Sequence, residues 1–214
     1  MKKTILILII FVSINTFSQE YNKKTRYLLG TFHTQNTTIN GVSLGVFTSG
    51  KYVKTNGIRL ETPGIGFIAF MANNSLIPNR ETTEIVNGIN ISSGTIGNVS
   101  YNGITLALVV QNGTVSNGIA IAGMWNAMGI SNGIQASVLL NETTTSKGVQ
   151  ISIGNNTDIM KGIQIGGANY ANKEMKGIQV GLYNESKKTK GIQIGLWNVN
   201  EKRKLPILNW NFKN

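Results

Sequence analysis

The residues able to do covalent or metal chemistry are few. His33 is the only histidine, Asp158 the only aspartate, and the 214-residue chain has no cysteine. Disulfides, thiolate metal sites, a cysteine nucleophile and a lipid-modified N-terminal cysteine are thereby excluded. A Ser-His-Asp triad would have only His33 to use. The acids nearest Asp158 in the repeat, Glu142 and Glu174, fall at variable turn positions and form no pair for glycoside hydrolysis. Calcium-binding solenoid repeats need an aspartate in every unit, and these units lack it. Gly64-Ile65-Gly66 is too short a pattern for a phosphate loop. The Thr-x-Thr columns of an ice-binding face are also missing. The expectation is a non-enzymatic protein with no cofactor and no metal.

Contact chemistry remains. Trp125, Tyr183 and Trp197 fall close to register and are candidates for stacking on sugar rings; the simpler reading is aromatics stacked on one another at a corner. Lys187, Lys188, Lys202, Arg203 and Lys204 collect in turns, where stacking would superpose them into a basic stripe. Such a stripe suits an anionic polymer or lipid headgroups. Alternatively it is a solvated edge whose like charges discourage end-to-end aggregation. No aromatic module for nucleic acid is interleaved with the charges. Gln135, Gln150, Gln164, Gln179 and Gln193 recur at one position of five successive units and predict an amide ladder on the outer surface.

These residues are placed by a repeat. Glycines at 88, 103, 118, 133, 148, 162, 177 and 191 are spaced by 14 or 15 residues, and Gly57 lies 31 before Gly88, close to two periods. Counting the glycine as position zero, positions one, three and five are apolar, as in Ile178/Val180/Leu182 and Ile192/Ile194/Leu196. Positions two and four are polar or small. Such alternation is a half-buried strand, and a period sustained this long means an array. An asparagine then follows (Asn126, Asn141, Asn155, Asn169, Asn184, Asn198) where the alternation loses phase, as at a corner. The fold expected is all-β, a β-solenoid of ~15-residue coils and on the order of 50 Å long. The alternative is an antiparallel β-meander or small outer-membrane β-barrel. Apolar positions one, three and five are assigned to the core.

The formal charge of +11 is uneven. Residues 81–146 hold three acids and no Lys or Arg, whereas 147–214 hold eleven basic residues against four acids. At the start, Lys2 and Lys3, the apolar run Ile5 to Val12, and Thr16-Phe17-Ser18 read as a signal peptide cleaved after Ser18. The chain divides into that leader (1–18), a lead with a first strand (19–40), the array (41–204, irregular at 63–87) and a C-terminal cap (205–214). In the irregular part, Ile65 to Met71 is a continuous apolar run and Ser75 to Thr83 a polar loop.

Units such as Lys190-Gly-Ile-Gln-Ile-Gly-Leu-Trp-Asn198 resemble the short surface repeats of secreted spirochaete and Bacteroidetes proteins, and Asn200-Glu-Lys-Arg-Lys-Leu-Pro206 resembles a closing segment of that group. The resemblance covers Gly133 to Phe212 well and Gly41 to Gly118 loosely. It implies an exported or surface location in the periplasm, outer membrane or cell surface, and carries no functional residues across. The expected role is an envelope-associated structural or binding element. Its partner would be an envelope polymer, an anionic surface or another protein. The alternatives are an integral outer-membrane barrel and a polysaccharide-binding module.

Overall fold

A computed structural model describes residues 24–48, 52–64, 76–78 and 81–212. The expected leader, the apolar run Ile65 to Met71 and part of the Ser75 to Thr83 loop lie outside these residues. The described chain is all β, with strands β1 (Lys24–Thr31), β2 (Thr37–Gly45), β3 (Val53–Glu61), β4 (Glu84–Ser92), β5 (Val99–Ala107), β6 (Val110–Ala122), β7 (Trp125–Ser137), β8 (Leu140–Ser186), β9 (Thr189–Val199) and β10 (Lys204–Asn211). They form one sheet in sequential order. Every pairing from β1 to β9 given between successive strands is parallel, in a register that sets each anchor glycine beside the next, as Gly103↔Gly118↔Gly133↔Gly148. This is a β-solenoid of about 11 turns. A meander or up-and-down barrel would alternate strand direction. Only β10 does so here, running antiparallel along β9.

Backbone geometry explains the glycine column. All ten anchor glycines from Gly41 to Gly191 have φ between 128° and 158°, a region that side chains disfavour. Space is closed as well: a Cβ on Gly148 would lie 2.0 Å from the carbonyl oxygen of Gly133. In β1 the matching position is Leu28, in the left-handed region at φ 68°, paired with Gly41. The 31-residue interval before Gly88 places no coil of the stack between Gly57 and Gly88. Gly57 pairs directly with Gly88, so the doubled spacing is one coil plus an insertion.

The orientation of the strands is the reverse of the sequence expectation. Positions two and four point inward, and positions one, three and five point out. Gln135, Gln150, Gln164, Gln179 and Gln193 are all fully buried. Ile104, Leu106, Leu108, Ile134, Ile151, Ile153, Val180, Leu182, Ile194 and Leu196 are exposed. Ile178, assigned to the core, is only half-buried on the outer surface. The cause lies in the size of a 14- or 15-residue coil, whose interior is narrow. Position four accepts only small residues from β4 onward, because a Cβ on Gly181 or Gly195 would come within 2.6 Å of Asn169 Nδ2 or Asn184 Nδ2. Amides fill this space because each finds its partner one coil away, and burial costs little when the hydrogen bonds are complete.

Candidate functional site

The interior is built from amide ladders. Gln150, Gln164, Gln179 and Gln193 each donate from Nε2 to Oε1 of the preceding glutamine, at 3.0, 2.9, 2.7 and 2.8 Å. The asparagine column runs the other way. Asn141, Asn155, Asn169 and Asn184 each donate from Nδ2 to Oδ1 of the following asparagine, at 2.9, 2.8, 2.8 and 2.7 Å. Their side-chain dipoles therefore oppose. The ladder ends leave unpartnered acceptors: Gln193 Oε1 at the C-terminal side, and Asn126 Oδ1 one coil before the asparagine run. These columns hold the stack together and are closed to ligands.

Nearer the N-terminus the interior carries charge, which sequence reasoning did not detect. Arg59 is buried and donates to Glu61 Oε2 (2.8 Å), Asn90 Oδ1 (2.9 Å) and Glu84 Oε2 (2.9 Å). Its guanidinium lies 4.0 Å from the centre of the Phe32 ring. Burial opposes its charge, but Glu84 and Glu61 outweigh that and raise its pKa. Burial pushes the Glu61 carboxyl upward despite Arg59 and a hydrogen bond from Thr95. The Tyr101 hydroxyl is likewise raised by burial. In sequence, Arg59 and Glu61 sit at positions two and four of their unit. Once those positions are known to face inward, the cluster follows.

Among the described residues no group of three or more His, Cys, Asp or Glu is placed to hold a metal. His33 accepts from the Val46 backbone N–H at 3.1 Å and packs beside Phe32 and Phe47. Asp158 pairs with Lys173 at 2.7 Å on the surface.

The sequence-predicted contact residues are only partly brought together. Tyr183 and Trp197 are register partners in adjacent coils. Trp125 pairs with Leu140 further down; with Gly154 and Ala168 also intervening in sequence register, the aromatics form no continuous platform. The Tyr183 hydroxyl donates to Glu185 at 2.7 Å and is pushed up to about 12 by that bond. Lys187 and Lys188 are exposed in the turn between β8 and β9. Lys202, Arg203 and Lys204 are tied to the end strand: Lys202 donates to Asn211, and Arg203 stacks 4.5 Å over Trp210 and donates to its carbonyl. They do not continue the stripe of the other lysines.

Among the described residues a continuous feature is the outer face bearing positions one and three. Position one is Val or Ile in all ten glycine-anchored coils, and position three is Leu, Ile, Val or Ala. At strand spacing the two columns run ~43 Å, and position five widens the apolar face to ~13 Å only where it is Val46, Leu108, Val138, Ile153, Leu182 or Leu196. Soluble monomers rarely expose a contiguous apolar patch beyond a few hundred Å². At its C-terminal end a shallow depression of about 500 Å³ opens between Ile165, Val180 and Ile194 on one side and Leu182 and Leu196 on the other. A second depression of about 560 Å³, near the N-terminus, is lined by Asn36, Thr38, Tyr52, Lys54 and Thr82 among others, with no acid among the described lining residues. No helix among the described residues is long and apolar enough to cross a membrane. No family model, curated protein or solved structure matches the chain.

Proposed function

We propose that this chain is an exported, non-enzymatic β-solenoid that serves as a docking element of the cell envelope, with the outward aliphatic face as its working surface. The observation that carries the reading is the pair of aliphatic columns on the outside of the ten glycine-anchored coils, over an interior whose amide ladders are hydrogen-bonded without them. Branched aliphatics stacked at strand spacing cover one another only in part, and each remaining Å² left in water costs ~25 cal/mol. A surface of that kind repeated through ten coils is explained by a partner that covers it.

The test is fractionation of cells producing the wild type and an Ile121→Asp/Ile151→Asp/Ile165→Asp variant. All three residues are exposed, so the variant keeps the wild-type circular dichroism. The wild type is expected with the envelope and the variant in the soluble fraction. A wild type found in the soluble fraction, or a folded variant that stays with the envelope, removes the reading.

A further inference from the structure

We infer that the partner covering the aliphatic face is the surface of an anionic phospholipid bilayer; the inference rests on the docking reading above and names its occupant. The carrying observation is a change of residue type along one margin of the face. The position just before each anchor glycine is asparagine from Asn40 to Asn132, and these six side chains form an outer ladder, each amide after the first donating to the one before it at 2.7 or 2.8 Å. At the next coil the ladder stops. Lys147, Lys161, Lys176 and Lys190 take over the column, with Lys147 beside Asn132 and Lys176 beside Lys190 in the sheet register.

Four ammonium groups rooted at ~4.8 Å intervals repel one another. Glu174 pairs with Lys176 at 2.8 Å, and its charge also acts on Lys161. An amide column that could have continued has been replaced by one whose charges favour an anion.

The choice between bilayer and second copy follows from charge. Across the outward positions of the face, from the column before the glycine to position six, none of the ten coils carries Asp or Glu. A second copy laid face to face would therefore offer the lysines no acid from the face itself; Glu185 lies beyond its Tyr183 corner. Anionic headgroups would offer them negative charge. Lysine stems can lie along the aliphatic columns while the ammonium groups reach outward to phosphate. On the opposite margin, Tyr183 and the exposed Trp197 occupy the corner, and both residue types favour the boundary between apolar and wet phases. In the C-terminal half, then, the apolar face is framed by lysine on one side and by Tyr and Trp on the other. Sheet pairing meets the backbone hydrogen-bonding needs of the face, so contact with the acyl region leaves no amide unpaired.

The test uses tryptophan fluorescence of the full chain with vesicles of brominated phosphatidylcholine, alone or mixed with phosphatidylglycerol. Tryptophan occurs only at 125, 197 and 210, so an apolar leader adds no signal of its own. Quenching is expected with the anionic vesicles. The Lys147→Asn/Lys161→Asn variant extends the existing asparagine ladder and so keeps its fold. Its affinity should fall roughly 25-fold, about fivefold per lysine. The Ile121→Asp/Ile151→Asp/Ile165→Asp variant should lose quenching altogether. Equal quenching by neutral and anionic vesicles, or an unchanged affinity in the lysine variant, overturns the inference. So does a chain that ignores all vesicles but runs as a dimer that the aspartate variant splits; that outcome leaves the docking face standing with a second copy as its occupant. Envelope association that survives the aspartate substitutions defeats the docking reading itself.

Discussion

Replacing a buried amide should harm this protein more than placing a charge on its aliphatic face. Gln164 donates to Gln150 Oε1 at 2.9 Å and accepts from Gln179 Nε2 at 2.7 Å, in a fully buried site. Gln164→Leu keeps much of the volume but breaks both ladder bonds. Each is worth about 1 kcal/mol net, and the stranded amide groups of Gln150 and Gln179 add a desolvation cost of about 1–3 kcal/mol. Remaining bonds from Thr157 to Gln150 and from Gln179 to the Glu185 carbonyl soften the loss. The expected cost is about 3 kcal/mol, or a drop of about 6–12 °C in Tm for a chain of this size. Ile165→Lys, one residue away on the outer face, keeps an aliphatic stem over its neighbours and should cost below about 1 kcal/mol. Thermal and guanidinium unfolding followed by circular dichroism compares the two. If Ile165→Lys costs as much as Gln164→Leu, the inward amides and outward aliphatics are wrongly assigned.

Other expectations follow from particular contacts. Gly148→Ala should cost more than about 3 kcal/mol, since it combines a φ of 137° with a 2.0 Å approach to the Gly133 oxygen. Gly154→Ala, whose Cβ would meet nothing nearer than 3.4 Å, should be close to neutral; similar melting curves for the two would refute the column argument. Arg59→Ala strands Glu61 and Glu84 in the interior and should destabilise by about 3–5 kcal/mol. Denaturation that detects less than about 1 kcal/mol would contradict a buried network there. Because burial raises the pKa of Glu61 in the folded state, its contribution is fully present below the usual carboxylate value of 4.5 and is lost as pH rises through the raised value. Glu61→Gln should therefore flatten the decline of stability as pH rises above about 4.5. An unchanged pH profile would argue against that titration.

The period and the parallel stack were legible because a backbone requirement wrote them into the chain: a glycine at each level, where any Cβ meets the carbonyl below. The inside and outside of the strand were not legible from alternation alone. Aliphatic and amide residues alternate equally well in either orientation, and the general preference for buried aliphatics pointed the wrong way. One cue was present. Position four is Ser, Ala or Gly in eight successive coils from Ser92 to Gly195, and a residue held small at every level marks a crowded interior. The Arg59 cluster was hidden by the same reversal, since Arg59 and Glu61 look like ordinary surface charges until positions two and four turn inward. The insertion after β3 was masked by its length, which happens to approach one more coil.

The orientation of the strand carries both the fold and the proposed face, and cysteine accessibility measures it directly. The chain has no cysteine of its own, so single substitutions can be read without background. Ile151, Ser152 and Ile153 are 44, 6 and 61 % exposed in succession. In the folded protein a hydrophilic maleimide should modify Ile151→Cys and Ile153→Cys rapidly and leave Ser152→Cys unreacted until denaturant is added. Rapid modification of Ser152→Cys, with both flanking cysteines protected, would contradict the account.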